Sequence, residues 1–169
     1  MAYRELSLDQ INSGKLFLLN LKSLGMNPEG MGWAWDKDAE AHTLLLFTSV
    51  FDRLGPHEIY DLLFLAYRKQ LTTPDVPPTR IYVTSPKTTL YQCMAQLYNR
   101  ITVFDHVVSE TLDRGTLRGM DAVTFSADQT QNFQIFGGGI YLLEGAKPSK
   151  ASISGQAKKF RENIIKRAA

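Results

Sequence analysis

Between His42 and Thr84 the chain alternates β-rich and helical segments, and this alternation restricts the possible folds most. His42–Phe51 is dominated by large apolar residues and predicts a long, buried strand. Gly55-Pro56 then begins a segment whose apolar residues recur at helical spacing. Arg80–Thr84 is a second β-rich run, after a loop with three prolines. A strand, a helix and a strand in this order predict a right-handed parallel crossover.

The flanking segments predict further helices and strands. Residues 8–24 predict a helix, with Ser7 as its N-cap and Gly25 as its stop. Met31, Trp33 and Trp35 alternate with small residues, which is typical of a strand. Ser85-Pro86 predicts the start of another helix, followed by a strand over Ile101–Val108 and a loop or short helix over Ser109–Gly119.

The last third of the chain predicts several short strands and a helix. Ala122–Ser126 and Gln131–Phe136 are expected to be strands, and Gly137-Gly138-Gly139 is expected to turn the chain into Ile140–Leu143. A helix is expected over about 154–167. The fold class is therefore α+β, with one mixed sheet of about five to seven strands, a central βαβ crossover and flanking helices. At 169 residues, one domain over 1–146 is expected, followed by a basic linker and amphipathic helix over 147–169 that docks on it.

Charge is distributed unevenly along a chain whose net charge is only +2. From Lys147 onward seven basic residues stand against Glu162, a local +6, so residues 1–146 carry −4. The terminal helix either docks on this acidic body through its apolar stripe, which is favoured, or binds a partner or nucleic acid. The basic residues considered for that second role are Lys158, Lys159, Arg161, Lys166 and Arg167.

No known catalytic or cofactor motif stands out, so no cofactor is expected. The chain contains no P-loop, Gly-rich dinucleotide fingerprint, nucleophile elbow or His-Glu-x-x-His motif. The single cysteine, Cys93, lies on an apolar helical stripe with Leu90 and Leu97, which favours a packing role over a nucleophilic one.

Histidines and carboxylates offer only a weak metal-site pattern. His42, His57 and His106 are more than ten residues apart, so their spacing indicates no ligand set. Asp36, Asp38 and Glu40 could share one face of an extended segment, but a solvated turn explains them better. A metal-dependent enzyme, with a site assembled only in the fold, is the third functional hypothesis.

Two further segments are candidate binding sites. Ser85, Lys87, Thr88 and Thr89 follow a strand and begin a helix, where free N–H groups attract anions, although simple helix capping is the more common role. Trp33 and Trp35 share one strand face and could stack on a ligand or a base, although such residues more often fill a core.

The favoured function is a non-catalytic interaction or regulatory module, acting through protein–protein binding as a subunit of a homo- or hetero-oligomer. The alternative is nucleic-acid binding through the terminal helix and the loop residues Arg80, Lys87, Arg114 and Arg118. A lone thiol, no secretory segment and no apolar run near the roughly 20 residues of a membrane span predict a cytoplasmic location.

Overall fold

The described residues form a five-stranded mixed sheet with helices on both faces. The computed structural model describes residues 6–96, 122–126, 132–143 and 148–169. Its helices are α1 (Leu8–Ser23), α2 (Ser49–Arg68), α3 (89–96 within the described residues) and α4 (Lys150–Ala168). Its strands are β1 (Gly30–Asp36), β2 (Ala41–Phe47), β3 (Ile81–Thr84), β4 (Ala122–Ser126) and β5 (Asn132–Leu143).

The sheet confirms the predicted α+β class and its parallel crossover. The strand order is β3-β2-β1-β5-β4, and among these five described strands β2 and β3 are the one parallel pair. α2 connects these two strands, and a 3-10 turn over Pro78–Arg80 leads into β3. The predicted strand over Ile101–Val108 and the segment Ser109–Gly119 lie outside the described residues.

Two apolar clusters hold the helices on opposite faces of the sheet. The larger cluster joins α1, α2 and α4 to one face, with Trp33 and Leu44 among its members. The smaller cluster places Leu90 and Met94 of α3 against Ala34, Leu45, Phe47, Phe133 and Ile135 on the other face. None of the described helices combines the length and apolarity that a membrane crossing requires.

The predicted boundary between the first long strand and the next helix is wrong. β2 ends at Phe47 rather than Phe51, and α2 already begins at Ser49. The buried Glu29 carboxylate accepts the Ser49 N–H at 3.0 Å, and the Thr48 hydroxyl accepts the Val50 N–H. These caps satisfy N–H groups at the helix start, so Val50 and Phe51, whose residue types favour a strand, are helical here. Gly55 has the non-helical angles φ 79° and ψ 167°, so α2 consists of two helical segments joined at a kink. The second segment begins at Pro56, as the sequence predicts.

The predicted hairpin at the glycine run is also wrong, because β5 continues through Gly137-Gly138-Gly139. In its pairing with β1, Ala34 is opposite Ile135 and Gly32 is opposite Ile140. Four residues of β5 are therefore accommodated opposite Trp33, which makes a special bulge with more than the usual one extra residue. A Cβ atom on Gly139 would lie 2.7 Å from Leu6 Cδ1 and 3.2 Å from the Trp33 Cβ atom, so a side chain there would force its neighbours to shift.

Two helix starts also differ from their predicted positions. α3 begins at 89 rather than at Ser85-Pro86, because residues 86–88 form a turn and bend. α4 begins at Lys150, four residues before the predicted start, because the Ser149 hydroxyl accepts the Ser152 N–H at 3.2 Å and caps it.

Tyr60 closes the outer edge of β3. Its hydroxyl donates to the Ile81 carbonyl at 2.9 Å and accepts the Val83 N–H at 3.1 Å. A neighbouring parallel strand would pair with the same two groups, the C=O of one residue and the N–H two residues later. The Tyr60 side chain of α2 thus makes the two hydrogen bonds that a further strand would make with this edge.

Replacing Tyr60 with Phe is expected to lower the free energy of unfolding by about 1–2 kcal/mol, because two backbone groups lose their partner. Urea unfolding followed by circular dichroism measures this change. Tyr67→Phe is the matched control on the same helix, since its hydroxyl makes only an exposed 3.3 Å bond to the Pro74 carbonyl. Equal losses in both variants would contradict the edge-closing role.

Candidate functional site

α1 is the helix with the most exposed large apolar side chains among those described. Hydrogen bonds fix its position from the first turn. Ser7 and Gln10 form a capping box, in which the Ser7 hydroxyl accepts the Gln10 N–H and the Gln10 side chain accepts the Ser7 N–H. The Gln10 amide nitrogen also lies 3.1 Å from His42 Nδ1. These bonds tie the helix start to the strand beneath it.

Trp33 and Tyr141 hold the next turn of α1 against the sheet. The Trp33 indole N–H donates to the Gln10 carbonyl at 3.1 Å and to the Tyr141 hydroxyl at 2.9 Å. The Tyr141 hydroxyl in turn donates to the Ile11 carbonyl at 2.6 Å. Burial raises the pKa of Tyr141 to about 12, so the phenol stays protonated and can donate across the ordinary pH range.

Three leucines face outward from this fixed helix. Leu8 is 59% exposed, Leu16 47% and Leu19 56%. At about 100° per residue they fall within an arc of about 80°, opposite the buried side of the helix. That buried side carries Gly14, Phe17, Leu18 and Leu21. We call Leu8, Leu16 and Leu19 the leucine face.

The two flanks of the leucine face differ in charge. Lys15 and Lys22 are exposed on one flank, and no salt bridge among the described residues involves either. Asp9 and Ser13 lie on the other flank, beside an open cleft of about 440 Å³. Its lining residues are Asp9, Gln10, Asn12, Ser13, Leu16, Trp33, Asp75 and Arg80. One flank is therefore basic and the other is mixed in charge.

The cleft itself is framed by polar side chains that are already engaged with the fold. Arg80 donates through Nε to the His42 carbonyl at 3.3 Å. Asp75 accepts the Ser13 and Thr73 hydroxyls, each at 3.4 Å. Thr73 N–H donates to the Asn20 side chain at 3.0 Å, so this loop is attached to α1. The cleft thus forms a fixed, polar border to the leucine face.

The two tryptophans share a strand face, and they are not equivalent. Trp33 is only 1% exposed and packs in the larger core cluster. Trp35 is partly buried, with its ring edge-on to His42 at a centroid distance of 5.0 Å. Stacking of a base on Trp33 would require α1 to leave the sheet, since α1 covers the indole.

The candidate anion-binding residues surround a carboxylate of the chain itself. Asp52 of α2 accepts the Ser85 hydroxyl at 3.1 Å and pairs with Lys87 at 2.8 Å. The Ser85 hydroxyl also accepts the Lys87 N–H, and Thr88 donates to the Ser85 carbonyl. Thr89 is exposed at the start of α3. A phosphate or carboxylate at this loop would have to compete with Asp52.

The basic residues of α4 divide into internal and exposed groups. Arg161 donates to Glu58 of α2, and Arg167 donates to the Ser23 carbonyl at 3.2 Å. Lys158 lies 3.8 Å from Glu162, one turn away on the same helix. Lys159 and Lys166 are exposed and form no salt bridge within the described residues. The opposite side of α4 packs Ala157, Phe160 and Ile164 into the core.

The candidate catalytic side chains are not gathered into a metal centre within the described residues. Asp36 accepts the N–H groups of Asp38 and Ala39 and so closes the turn, while Glu40 has a positive φ of 48°. His42 is buried and His57 is exposed on α2. Cys93 is partly buried in α3. The histidine candidate His106 lies outside the described ranges, as do Leu97, the expected packing neighbour of Cys93, and the loop arginines Arg114 and Arg118.

The leucine face was not singled out as a site from the sequence, although a signal for it was present. Leu16, Phe17, Leu18 and Leu19 are four consecutive apolar residues in a predicted helix. A helix that packs on a sheet buries only one stripe, so such a run must direct some of its side chains outward. Leu16 and Leu19 are the residues that it directs outward.

Gly14→Ala is expected to destabilise the fold by about 1–3 kcal/mol, because the new methyl group would overlap the Tyr141 hydroxyl and lie 2.7 Å from Trp33 Nε1. Gly155→Ala on α4 is the matched control, since nothing lies within 4 Å of its added Cβ. It is expected to stabilise the helix by about 0.5–1 kcal/mol. Thermal unfolding of both variants measures the difference, and a stabilised Gly14→Ala would contradict the close contact.

Comparisons with known proteins supply no relative for this chain. No family model, no curated protein and no solved structure matches it. Its functional assignment therefore depends on the geometry of its own residues.

Proposed function

We propose that this protein is an interaction module that binds a protein partner through the leucine face of α1. The observation that carries the proposal is the clustering of exposed apolar side chains. Among the residues whose burial the structure describes, five large apolar side chains are exposed, and three of them, Leu8, Leu16 and Leu19, lie on this one helix face. Exposed apolar side chains that are grouped on one element mark interaction sites more often than scattered ones do.

The attachment of α1 supports the same proposal. Trp33, Tyr141 and the capping box hold the first half of the helix, and buried apolar residues hold the second half. A partner therefore meets a preformed surface and has little backbone to order on binding. Preorganisation of this kind lowers the entropic cost of association.

The size of the leucine face indicates a modest affinity. Full burial of one leucine contributes about 1.5–3 kcal/mol, and each of these side chains is already about half buried. The three together therefore contribute about 3 kcal/mol, which is less than the cost of association. The partner must also contact the flanks of α1, and a reversible, regulated complex is expected.

Photo-crosslinking in the source cells tests this proposal. A benzoylphenylalanine replaces Leu19, and the matched control carries it at Ile165, which is 54% exposed on α4. Covalent adducts are expected with the probe at Leu19 only. Leu16→Glu in the same chain is expected to reduce the adduct at least fivefold, because a charge would enter the apolar contact. Adducts of equal yield at both positions, or none at Leu19, would contradict the proposal.

Nucleic-acid binding through α4 is a second candidate, supported by the exposed Lys159 and Lys166. The internal contacts of Arg161 and Arg167 leave fewer cations for phosphates than the sequence suggests. If this function is correct, labelled DNA or RNA binds with an affinity that falls steeply with salt. The Lys159→Glu, Lys166→Glu double variant is then expected to lose most of that binding, whereas Lys15→Glu, Lys22→Glu keeps it. Binding without salt dependence would exclude the mechanism.

A further inference from the structure

We propose that the partner surface recognised by α1 is an amphipathic helix with an apolar stripe and carboxylates along one flank. This inference rests on the proposed function and specifies the chemistry of its partner. Lys15 and Lys22 are the two lysines of α1 that flank the leucine face. Both are exposed, and neither pairs with a carboxylate in the described part of the chain.

The spacing of the two lysines defines what can face them. They are seven residues apart, which is two helical turns or about 10.5 Å along the axis. At about 100° per residue they differ by only about 20° around the helix, so both project from the same flank. A second helix that packs along α1 can present carboxylates at positions i and i+7 to both of them.

The leucine face supplies the apolar contacts to the same partner helix. Leu8 and Leu19 are separated by about 16 Å along α1, and Leu16 lies beside Leu19 one turn earlier. The exposed Asn12 lies between Leu8 and Leu16 on the same face. A partner helix of about the same length would cover all three leucines if it places a polar side chain opposite Asn12. Burial of the leucines provides the affinity, while the lysines select the sign of charge and the register.

The α1 helix of a second copy of this chain is less complementary in charge to the two flanks of the leucine face. An antiparallel two-fold pair of α1 helices brings like flanks together, so Lys15 and Lys22 of one copy would face the same lysines of the other. In a parallel pair, Lys22 lies level with Asn20 of the opposite flank, which carries no charge. A helix of another protein, with carboxylates on one flank, leaves neither lysine unpaired.

Two synthetic peptides test the inference against the full chain. Both are as long as α1, are stapled on their solvent face to keep them helical, and carry the same leucine stripe. One has Glu at i and i+7 of its flank, and the other has Lys at those positions. Fluorescence anisotropy at low salt is expected to show at least tenfold tighter binding of the Glu peptide. Added salt is expected to reduce this preference by screening the charges.

Charge reversal on the protein distinguishes specific pairing with Lys15 and Lys22 from an effect of the protein's net charge. Lys15→Glu with Lys22→Glu is expected to reverse the preference, so that the Lys peptide binds more tightly. The matched control is Lys159→Glu with Lys166→Glu, which has the same spacing and the same charge change on α4 and is expected to keep the original preference. An unchanged preference in the first variant, or a reversed one in the second, would overturn the inference.

Two other outcomes distinguish this inference from the proposed function. If sedimentation shows a dimer that Leu16→Glu dissociates, the leucine face is occupied by a second copy, and the proposed hetero-partner is wrong while the interaction function stands. If neither peptide binds and the Leu19 probe still forms an adduct that Leu16→Glu removes, the partner surface is not an acidic helix. If the peptides fail and no adduct forms, both proposals fail.

Discussion

The packing of Trp33 between α1 and the sheet determines how the rest of this face is built. Its indole N–H has to be satisfied inside the core, and it donates to the Gln10 carbonyl and the Tyr141 hydroxyl. α1 can approach closely only because Gly14 has no side chain, and β5 must bulge around the tryptophan through glycine. The position of α1, and with it the direction of the leucine face, follows from the accommodation of this one ring.

Local patterns predicted the elements whose ends are set by nearby residues. The Ser7 cap and the Gly25 stop bound α1 correctly, and the alternation around Trp33 predicted β1. The start of α4 was mispredicted although its cap, Ser149, is adjacent in sequence. Two other predictions failed because a distant group decides. The start of α2 depends on Glu29, twenty residues earlier, and the course of Gly137–Gly139 depends on Trp33 of a neighbouring strand. A glycine run satisfies the local rules for a turn and for a bulge equally well, so only the tertiary contact distinguishes them.

The candidate binding residues also divide into those whose role depends on distant groups and those whose signal is local in the sequence. Ser85, Lys87 and the α4 arginines were identified as cations or donors, but their carboxylate and carbonyl partners lie on other elements that spacing does not reveal. The leucine face is the opposite case. Its signal is local, since four consecutive apolar residues in a helix exceed what one buried stripe can hold. The pattern alone does not distinguish the residues of the run that the core accepts from those it leaves exposed.

The hydroxyl of Tyr60 on the edge of β3 has a consequence for assembly. An exposed strand edge can pair with any extended segment, including another copy of itself, and this is a common route to aggregation. Because Tyr60 already occupies the Ile81 carbonyl and the Val83 N–H, an incoming strand would have to displace a side chain held by α2. The crossover helix α2 therefore protects the exposed edge of β3, and it blocks the addition of another strand on that side of the sheet.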